Sequence, residues 1–236
     1  MITEEYKRLD DIAAVSRYGY GANRTTISYA FQIFRRFIQD GPILELGPAE
    51  GFMTDELVKL DLPMTVVDGA ADFCESLNER YPKIEVVHSL FENYRPLKKY
   101  DSIILGHVLE HVDNPVEILT HAREWLTDRG RVLAAVPNAR SLHRQAAVIL
   151  GMLEFEEELN ESDIHHGHRR IYNPETFRRD FIQAGLNIEV FGGYWLKPLS
   201  NSQIERDWSQ ELLDSFMKLG ERYPDIAGEL YVVAQA

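Results

Sequence analysis

A short apolar segment that runs into a glycine-containing turn constrains the fold of this chain more than any other stretch. Residues 43–46 (ILEL) predict a strand, and the turn GPAEG of residues 47–51 leads into a helix. The next apolar run, residues 64–68 (MTVVD), ends on the carboxylate of Asp68. A strand, a glycine turn, a helix and a terminal acid form the pattern with which α/β proteins hold a nucleoside ribose. The segment therefore predicts a parallel sheet with a nucleotide-like cofactor at its edge.

Short apolar runs continue to alternate with amphipathic segments up to about residue 136. Parallel strands need crossover connections, so this alternation predicts a doubly wound α/β fold with helices on both faces of the sheet. Two later apolar runs bring the predicted sheet to seven strands. Strands are predicted at residues 43–46, 65–67, 84–87, 102–105, 131–136, 186–195 and 228–235, and helices at 53–60, 70–80, 114–127 and 202–219.

The remaining segments divide the chain around this sheet. Apolar residues at helical spacing in residues 25–38 predict an amphipathic helix, so residues 1–40 are expected to form a helical cover that packs on the sheet or joins two copies in a homodimer. Residues 139–172 interrupt the alternation with a predicted helix at 141–153 and an acidic run at 154–158. Insertions at the carboxyl ends of strands bind ligands in open α/β sheets, so we expect a substrate cap there. Residues 41–138 and 173–236 then form the cofactor-binding domain.

Composition limits the partners of such a fold. The 236 residues are 44% hydrophobic, which suffices for one substantial core. A formal net charge of −13 repels a phosphate backbone, so nucleic acid is not an expected partner. Cys74 is the single cysteine, which excludes an intrachain disulfide and indicates a reducing compartment. No apolar stretch approaches the roughly 20 residues needed to span a bilayer, so we expect a cytoplasmic protein without a membrane partner.

The turn after the first strand favours one kind of nucleoside cofactor. Dinucleotide-binding turns follow G-x-G-x-x-G, which lets a pyrophosphate approach the helix amides. Here Ala49 occupies the middle glycine position and Glu50 lies beside it, so a diphosphate meets steric and electrostatic hindrance. Glu45, next to the turn, is suited to a cationic group, such as an amino-acid tail that carries an ammonium and a sulfonium. We infer S-adenosylmethionine as the cofactor, with S-adenosylhomocysteine as its product.

These residues resemble the class I S-adenosylmethionine-dependent methyltransferases, in particular the small-molecule group that includes the ubiquinone-type enzymes. Residues 45–51 (ELGPAEG) are similar to the E/D-x-G-x-G-x-G motif of that family, with Ala49 as the departure. Asp68 resembles its ribose-binding acid, and residues 100–112 (YDSIILGHVLEHV) resemble its fourth-strand motif. Residues 136–138 and 171–186 are similar to motifs that follow the fourth strand in that family. The resemblance spans about residues 40–190 and implies a Rossmann-like sheet with a reversed final strand.

The resemblance also implies which residues bind the cofactor. Glu45 and the turn glycines line the methionine portion, and Asp68 binds both ribose hydroxyls. N-terminal residues often cover the cofactor in this family, and Arg24 is placed to pair with the methionine carboxylate. Structural alternatives are turn formation for the glycines, helix capping for Asp68, core packing for Leu90 and Phe91, and a surface position for Arg24. The predicted cofactor-binding set is Tyr18, Arg24, Glu45, Gly47, Gly51, Phe52, Asp68, Gly69, Ser89, Leu90, Phe91 and His107.

Residues 107–111 (HVLEH) also match H-x-x-E-H, the inverted zinc-protease pattern. Metal-assisted hydrolysis needs both histidines on one helical face with a third ligand nearby. His107 directly follows the apolar run of residues 102–105, so we expect it at a strand end rather than within a helix. The sequence therefore predicts no bound metal, and an activity that survives a chelator.

The reaction that the resemblance implies is an in-line displacement at the sulfonium carbon, with an oxygen or nitrogen of a small molecule as the methyl acceptor. A neutral histidine is able to remove the acceptor's proton at physiological pH, and His107, His166 and His168 are the candidates. Predicted substrate contacts are His143, His165, Arg169, Arg170, Tyr194 and Trp195. The alternatives are that these two arginines neutralise the acidic run 154–158 and that the two aromatic residues pack in the core.

Two other function classes fit the same sequence pattern. A nucleotide-dependent oxidoreductase uses this type of fold, although the missing middle glycine disfavours its dinucleotide. A noncatalytic module that binds the cofactor and regulates a partner carries the same cofactor motifs. Stabilisation by S-adenosylmethionine rather than NAD separates a methyltransferase from the first class, and methyl transfer to an acceptor separates it from the second.

Overall fold

A seven-stranded mixed sheet organises the computed structural model, which describes residues 2–15 and 21–236. The strands are β1 (Ile43–Leu46), β2 (Met64–Asp68), β3 (Glu85–His88), β4 (Tyr100–Gly106), β5 (Leu126–Pro137), β6 (Asn187–Tyr194) and β7 (Glu229–Gln235). They lie in the order β3-β2-β1-β4-β5-β7-β6. Pairing is parallel from β3 to β5, and β7 runs antiparallel to both β5 and β6. The predicted doubly wound fold with a reversed final strand is therefore confirmed.

Helices cover both faces of this sheet. Among the described residues, no helix combines the length and the apolar character needed to cross a membrane. The helices are α1 (Ile2–Val15), α2 (Gly21–Phe34), α3 (Phe52–Leu57), α4 (Ala71–Arg80), α5 (Pro115–Trp125), α6 (Leu142–Ile149), α7 (Glu161–His165), α8 (Pro174–Gln183), α9 (Asn201–Asp207) and α10 (Gln210–Gly220). Short 3-10 helices occupy Val58–Leu60, Phe91–Asn93 and Pro224–Ile226.

Burial on both faces explains why the strands appear in the sequence as continuous apolar runs. In β1, Leu44 and Leu46 point into the core on one face, where α5 and α8 pack, and Ile43 points into the core on the other. The second face is covered by α2 and α10, and Ile33 and Phe34 of α2 are fully buried there. The apolar face of α2 is thus occupied by the sheet within the chain.

One predicted helix ends earlier than expected. The helix predicted at 141–153 ends at Ile149, and Gly151 follows it with a left-handed backbone (φ 71°). A left-handed glycine just past the last helical residue is a common way to end a helix, because glycine has no Cβ to clash.

A second predicted helix is divided in two. Within residues 202–219, Trp208 is extended, and Ser209 begins α10 by accepting a hydrogen bond from Leu212 N. Apolar residues keep their helical spacing across this break, so periodicity alone does not reveal it.

The segment expected to form a cap leaves the sheet and returns to it at one point. Asn138 and Tyr172 form a parallel bridge, and Ala139 N donates a hydrogen bond to Tyr172 O at 2.7 Å. Residues 139–172 between them carry α6 and α7, and their side chains face the same cavity as the turn after β1. Asn173 then caps α8, which returns the chain to the sheet.

Candidate active site

The carboxyl ends of β1, β2 and β4 border a cavity of about 1250 Å³. Strand β1 lies between β2 and β4, so the connections leave in opposite directions on its two sides and a crevice opens there. Residues of the cap and of α1 complete the walls. The predicted site residues that line the cavity are Glu45, Gly47, Phe52, Asp68, Gly69, Leu90, Phe91, His107, His143, His166, His168, Arg169 and Trp195.

Other predicted site residues lie outside this lining. Arg24 is exposed on α2, and its guanidinium carbon lies 5.6 Å from the centre of the Phe52 ring. The Ser89 hydroxyl donates a hydrogen bond to Leu90 O at 2.9 Å. Tyr18 falls outside the described residues. The predicted residues that the structure describes and that do not line the cavity are Arg24, Gly51, Ser89, His165, Arg170 and Tyr194.

Left-handed residues shape the turn after β1. Gly47 (φ 67°), Ala49 (φ 47°) and Gly51 (φ 83°) all adopt this conformation. A Cβ on Gly47 would lie 2.9 Å from Cγ2 of Val108, so the turn needs glycine there for space as well as for its backbone angle. The left-handed conformation costs Ala49 about 1–2 kcal/mol. Its N–H donates a hydrogen bond to Oδ2 of Asp68 at 3.2 Å, a role that the motif alone does not reveal.

Asp68 is a buried carboxylate at the end of β2. Its Oδ1 accepts a hydrogen bond from Ala70 N at 2.8 Å, directly before α4, and its Oδ2 accepts the bond from Ala49 N. Burial raises the pKa of Asp68 to about 6, although these hydrogen bonds act in the opposite direction. Asp68 therefore anchors the start of α4 and lines the cavity at the same time.

Glu45 is a second buried carboxylate in the cavity wall. Its Oε2 accepts a hydrogen bond from the Thr54 hydroxyl at 2.7 Å. Burial raises the pKa of Glu45 to about 8, and the negative charges of Asp68 and Asp55 add to this effect. Glu45 is thus protonated at neutral pH in the structure, and a cation placed beside it would favour its ionised form. Thr54 lies in α3 and belongs to this site, although the turn motif does not include it.

Helix α1 forms a wall of the cavity, although no residue of this helix was among the predicted site residues. A Cβ on Gly69 would lie 2.3 Å from Cδ1 of Leu9, so α1 comes into direct contact with the end of β2. Glu5 pairs with Arg8 at 2.6 Å and with Arg169 at 3.0 Å, and the second pair ties α1 to the end of the cap segment. The lining residues of α1 are Glu4, Glu5, Arg8, Leu9 and Ile12.

His107 follows the last residue of β4, as the sequence predicted, and its backbone is left-handed (φ 60°). Its Nδ1 faces two buried carboxylates, with Glu110 Oε1 at 3.4 Å and Glu229 Oε2 at 3.8 Å, and its Nε2 lies 3.3 Å from the Tyr194 hydroxyl. Burial alone would lower the pKa of His107, but the hydrogen bond to Glu110 and the charge of Glu229 outweigh burial and raise it. The two carboxylates therefore stabilise a proton on this imidazole.

Lys197 and His143 are two further ionisable side chains that line the cavity. Burial lowers the pKa of Lys197 to about 8. Burial, together with the charges of Lys197 and Arg144, lowers the pKa of His143 to about 2, so this histidine is neutral. Lys197 and Glu229 were not predicted as site residues. They reach the site because β7 inserts between β5 and β6, and a lone lysine or glutamate gives no sequence signal of that placement.

Within the cap, Asp163 connects two cavity-lining side chains. Its Oδ2 lies 3.1 Å from Nη1 of Arg144, and its Oδ1 lies 3.5 Å from Nδ1 of His168. Burial opposes ionisation of Asp163, but His168, the amide of Asn160 and Arg144 together outweigh it and lower the pKa to about 2. Asp163 is therefore an ionised carboxylate held between a guanidinium and an imidazole.

The two arginines predicted to bind substrate contact the chain itself. Arg169 donates to His111 O at 2.8 Å and forms ion pairs with Glu5 and Asp113. Arg170 donates to Leu109 O at 2.9 Å and also to the carbonyls of residues 112 and 113. Both guanidinium groups hold the loop that follows β4 in place.

Tyr194 and Trp195 divide between the core and the cavity. The Tyr194 ring is fully buried and stacks on Tyr29 at 5.7 Å between ring centres. Trp195 is also buried but lines the cavity, with a left-handed backbone (φ 64°) and the Lys197 ammonium 4.6 Å from its ring centre. Within the part of the chain that the structure describes, the Trp195 indole nitrogen has no hydrogen-bond partner.

The loop after β4 and the end of the cap bring together Glu110, His111 and His168. Their potential ligand atoms all lie within 4.8 Å of one another. The His111 and His168 rings are 4.8 Å apart between centres, and Nε2 of His111 lies 4.0 Å from Glu110 Oε1. Burial lowers the pKa of His111 to about 4, so its imidazole is neutral. The pattern of residues 107–111 contained Glu110 and His111, whereas His168 was predicted only as a candidate base, and nothing in the sequence placed the three together.

Comparison with known proteins is consistent with this geometry. Residues 17–189, well over half of the chain, match a family described as a methyltransferase domain. A ubiquinone biosynthesis O-methyltransferase from Glaesserella parasuis serovar 5 is 26% identical over 176 residues, which cover 70% of this chain and 73% of that enzyme. An rRNA adenine N-6-methyltransferase from Corynebacterium diphtheriae is 27% identical over 123 residues, which cover 47% of this chain and 47% of that enzyme.

Solved structures share the fold at lower sequence identity. The crystal structure of the N-methyltransferase NodS from Bradyrhizobium japonicum WM9 with S-adenosyl-L-homocysteine aligns with a TM-score of 0.63 at 13% identity. The alignment covers 97% of this chain and 96% of that protein. Nearly the whole chain, including the cap and the N-terminal helices, thus has a counterpart in that fold.

Proposed function

The chain belongs to the methyltransferase-domain family and has the fold of class I S-adenosylmethionine-dependent enzymes, and we propose that it transfers the cofactor's methyl group to an oxygen or nitrogen of a small molecule. The observation that carries this proposal is a single cavity lined both by the turn after β1 and by the polar residues of the cap. Its volume of about 1250 Å³ exceeds the roughly 300–1000 Å³ of common ligand pockets, which leaves room for an acceptor beside the cofactor.

The proposed position of the cofactor follows from the two buried carboxylates. A carboxylate offers about four acceptor positions, so Asp68 is able to bind both ribose hydroxyls while it keeps its two amide donors. Glu45 is placed to meet the ammonium of the methionine portion, and Leu90 and Phe91 to border the adenine. Bound in this way, S-adenosylmethionine supplies a methyl group activated by its sulfonium, and the chain's residues position it for in-line attack.

A small acceptor fits the walls of the site better than a polymer does. Helix α1 and the cap both contribute to the cavity, and the net charge of −13 repels nucleic acid. We therefore do not propose RNA, the acceptor that the name of the rRNA methyltransferase relative indicates, as the acceptor of this chain. A phenol, alcohol or amine is the class of acceptor that we propose.

His107 is the histidine that we propose as the base. With Nδ1 directed to Glu110 and Glu229, Nε2 is the basic nitrogen, and the two carboxylates stabilise the imidazolium that forms. A base contributes about 10²–10⁴-fold when it is well matched to its task, and the carboxylates beside Nδ1 raise the pKa of His107. Acceptor, cofactor and base then give the methylated acceptor, S-adenosylhomocysteine and one proton on His107.

A transfer assay tests this proposal. The chain is incubated with S-adenosylmethionine and a panel of phenols, alcohols and amines, and each product is examined by mass spectrometry for the added methyl group. We expect His107→Asn to lower the transfer rate by about 10²-fold or more, a far larger effect than its effect on S-adenosylhomocysteine affinity. An unchanged rate in this variant would contradict the base assignment.

The same protein distinguishes the competing functions by its response to ligands. S-adenosylmethionine and S-adenosylhomocysteine are expected to raise the melting temperature, because a ligand that binds only the folded state stabilises it. Stabilisation by NAD alone would favour an oxidoreductase. Tight cofactor binding without transfer to any acceptor of the panel would favour a noncatalytic binding module.

A further inference from the structure

We propose that Glu110, His111 and His168 bind a divalent transition-metal ion within the cavity, with an open coordination position for the methyl acceptor. Their ligand atoms already lie within 4.8 Å of one another. A zinc ion bound by imidazole nitrogen and carboxylate oxygen takes distances of about 2.0–2.2 Å, so a small inward shift of the side chains completes such a site. All three residues line the cavity that we assign to cofactor and acceptor.

Glu110 is the residue whose surroundings most clearly call for a cation. The side chain is fully buried; among the described residues Oε2 has no hydrogen-bond partner, and Oε1 has only a long contact of 3.4 Å with Nδ1 of His107. A buried carboxylate with so few donors is strongly disfavoured unless a charge or a metal compensates it. A divalent ion on the His111 side of Glu110 supplies that compensation.

One of the two imidazoles, that of His168, has the second contact that metal-binding histidines use. In His168, Nδ1 is turned to Asp163 Oδ1 at 3.5 Å, which leaves Nε2 for the ion. Arg144 holds Asp163 in turn at 3.1 Å. In His111, Nε2 is the nitrogen turned toward Glu110. A carboxylate that orients a histidine in this way fixes its tautomer and strengthens it as a ligand.

This site differs from the zinc-protease pattern that the sequence argued against. In that pattern both histidines of H-x-x-E-H bind the metal from one helix, and the glutamate does not bind it. Here His107 follows a strand and directs its Nε2 toward Tyr194, so it does not belong to the set. Glu110 takes part as a ligand, and the second histidine comes from the cap. The expectation that the chain holds no metal considered only the local pattern.

Three protein ligands leave an open position, which is typical of catalytic rather than structural metal sites. Two imidazoles and one carboxylate suit zinc and neighbouring first-row ions. A metal ion lowers the pKa of an oxygen that it binds. This role rests on the proposed function and selects a hydroxyl as the acceptor group: its O–H proton passes to the base, an O–C bond forms, and the C–S bond of the cofactor breaks.

Metal binding is measured directly, without reference to turnover. The purified protein is stripped with a chelator, dialysed and titrated with Zn²⁺ by calorimetry and with Co²⁺ by visible absorption. We expect one equivalent of each ion to bind. Glu110→Gln and His168→Gln are expected to weaken binding by more than about 100-fold, and Asp163→Asn by about 10–100-fold, as removal of an orienting partner does.

His165→Gln is the matched control, since this histidine is exposed and lies outside the cavity lining. It is expected to bind both ions like the unaltered protein. Circular dichroism and S-adenosylhomocysteine binding report whether each variant is folded. Failure of the folded, unaltered protein to bind one equivalent would overturn the proposal, as would equal binding by the Glu110 and His168 variants.

These experiments test the metal site and the proposed function independently of each other. Stoichiometric Zn²⁺ binding that depends on Glu110 and His168 supports the metal site even if S-adenosylhomocysteine does not bind. Transfer to a hydroxyl acceptor at full rate in the chelated protein overturns the role of the metal and leaves methyl transfer intact.

Discussion

At the scale of single residues, Asp68 and Glu45 are two buried carboxylates of one cavity that differ in their hydrogen bonds. Asp68 accepts two backbone amides and has a pKa of about 6. Glu45 accepts one hydroxyl and has a pKa of about 8. Because burial is the largest cause in both residues, each is poised to change protonation when a polar ligand replaces the missing solvation.

Replacement of Asp68 tests the ribose contact. Asp68→Asn is expected to weaken S-adenosylhomocysteine binding by about 10–100-fold, since a hydrogen bond to a charged group contributes about 1.5–3 kcal/mol. In the unaltered protein the affinity should fall as pH falls through about 6, where the carboxylate takes up a proton. Calorimetry over pH 5 to 8 checks both effects. Asp72→Asn, on the exposed start of α4, is the control, and an Asp68→Asn affinity equal to it would contradict the assignment.

Glu45 is expected to release a proton when the cofactor binds. At pH 7 it carries a proton in the ligand-free protein, because its pKa of about 8 lies above that pH. The cofactor's ammonium favours the ionised form, so binding should release close to one proton, and calorimetry in buffers of different ionisation enthalpy measures it. Glu45→Gln should release none, whereas Glu79→Gln on the exposed face of α4 should release the same amount as the unaltered protein. No release from the unaltered protein would place the ammonium elsewhere.

The residues that the sequence predicted and those that it missed differ in a physical respect. Glu45, Gly47 and Asp68 lie at fixed spacings within one strand-turn-helix-strand unit, so local pattern locates them. Lys197 and Glu229 enter the cavity only through the placement of β6 and β7 in the sheet. Such contacts between distant segments have no local signature.

At the scale of elements, α10 supports the cavity wall through a close approach to the end of β6. A Cβ on Gly220 would lie 2.3 Å from the backbone nitrogen of Trp195. Trp195 N and Leu196 N also donate hydrogen bonds to the carbonyls of Met217 and Phe216 in α10. The position of the Trp195 side chain in the cavity therefore depends on a helix that does not line it.

Enlarging Gly220 tests this support. Gly220→Ala is expected to lower the free energy of unfolding by about 1–3 kcal/mol, because the overlap is with backbone atoms that cannot move aside locally. Denaturant titration measures the change. Ser215→Ala, on the exposed face of the same helix, should stay within about 0.5 kcal/mol of the unaltered protein. Equal stability of the two variants would show that α10 and Trp195 are not in close contact.

Element types were predictable where one rule governed the whole segment. The central strands β1, β2 and β4 are buried on both faces, so their apolar runs are continuous and were predicted at nearly their observed positions, whereas β5 begins at Leu126, five residues before its predicted start. The division between α9 and α10 was not predictable, because the helical backbone is interrupted before Ser209 while the apolar spacing continues across the break.

At the scale of the whole molecule, the cavity is completed by parts of the chain that lie far apart in sequence. Helix α1 contacts the end of β2 through Leu9, and Glu5 joins it to Arg169 in the cap segment. Cofactor and acceptor would therefore be enclosed between the N-terminal cover, the sheet and the cap. Residues of α1 and of the segment 139–172 line the cavity together with residues at the ends of the strands.

Ligand binding should then order α1. Hydrogen exchange of residues 2–15 is expected to slow when S-adenosylhomocysteine is added, because α1 contributes five lining side chains to the cavity. The core strand β5 provides the internal reference, since its exchange reports global opening. Mass spectrometry of peptic peptides follows both segments in one experiment. Unchanged exchange in α1 at saturating ligand would mean that the helix does not close on the cofactor.

The central claim is that one cavity holds S-adenosylmethionine between the turn after β1 and the cap, with the methyl group directed at the polar cluster beneath the cap. A crystal structure of the complex with S-adenosylhomocysteine tests it most directly. We predict both ribose hydroxyls within hydrogen-bond distance of Asp68, the ammonium beside Glu45, and the sulfur facing the space bordered by His107 and His168. A ligand bound with its ribose away from Asp68, or with its sulfur turned away from that space, would contradict the account.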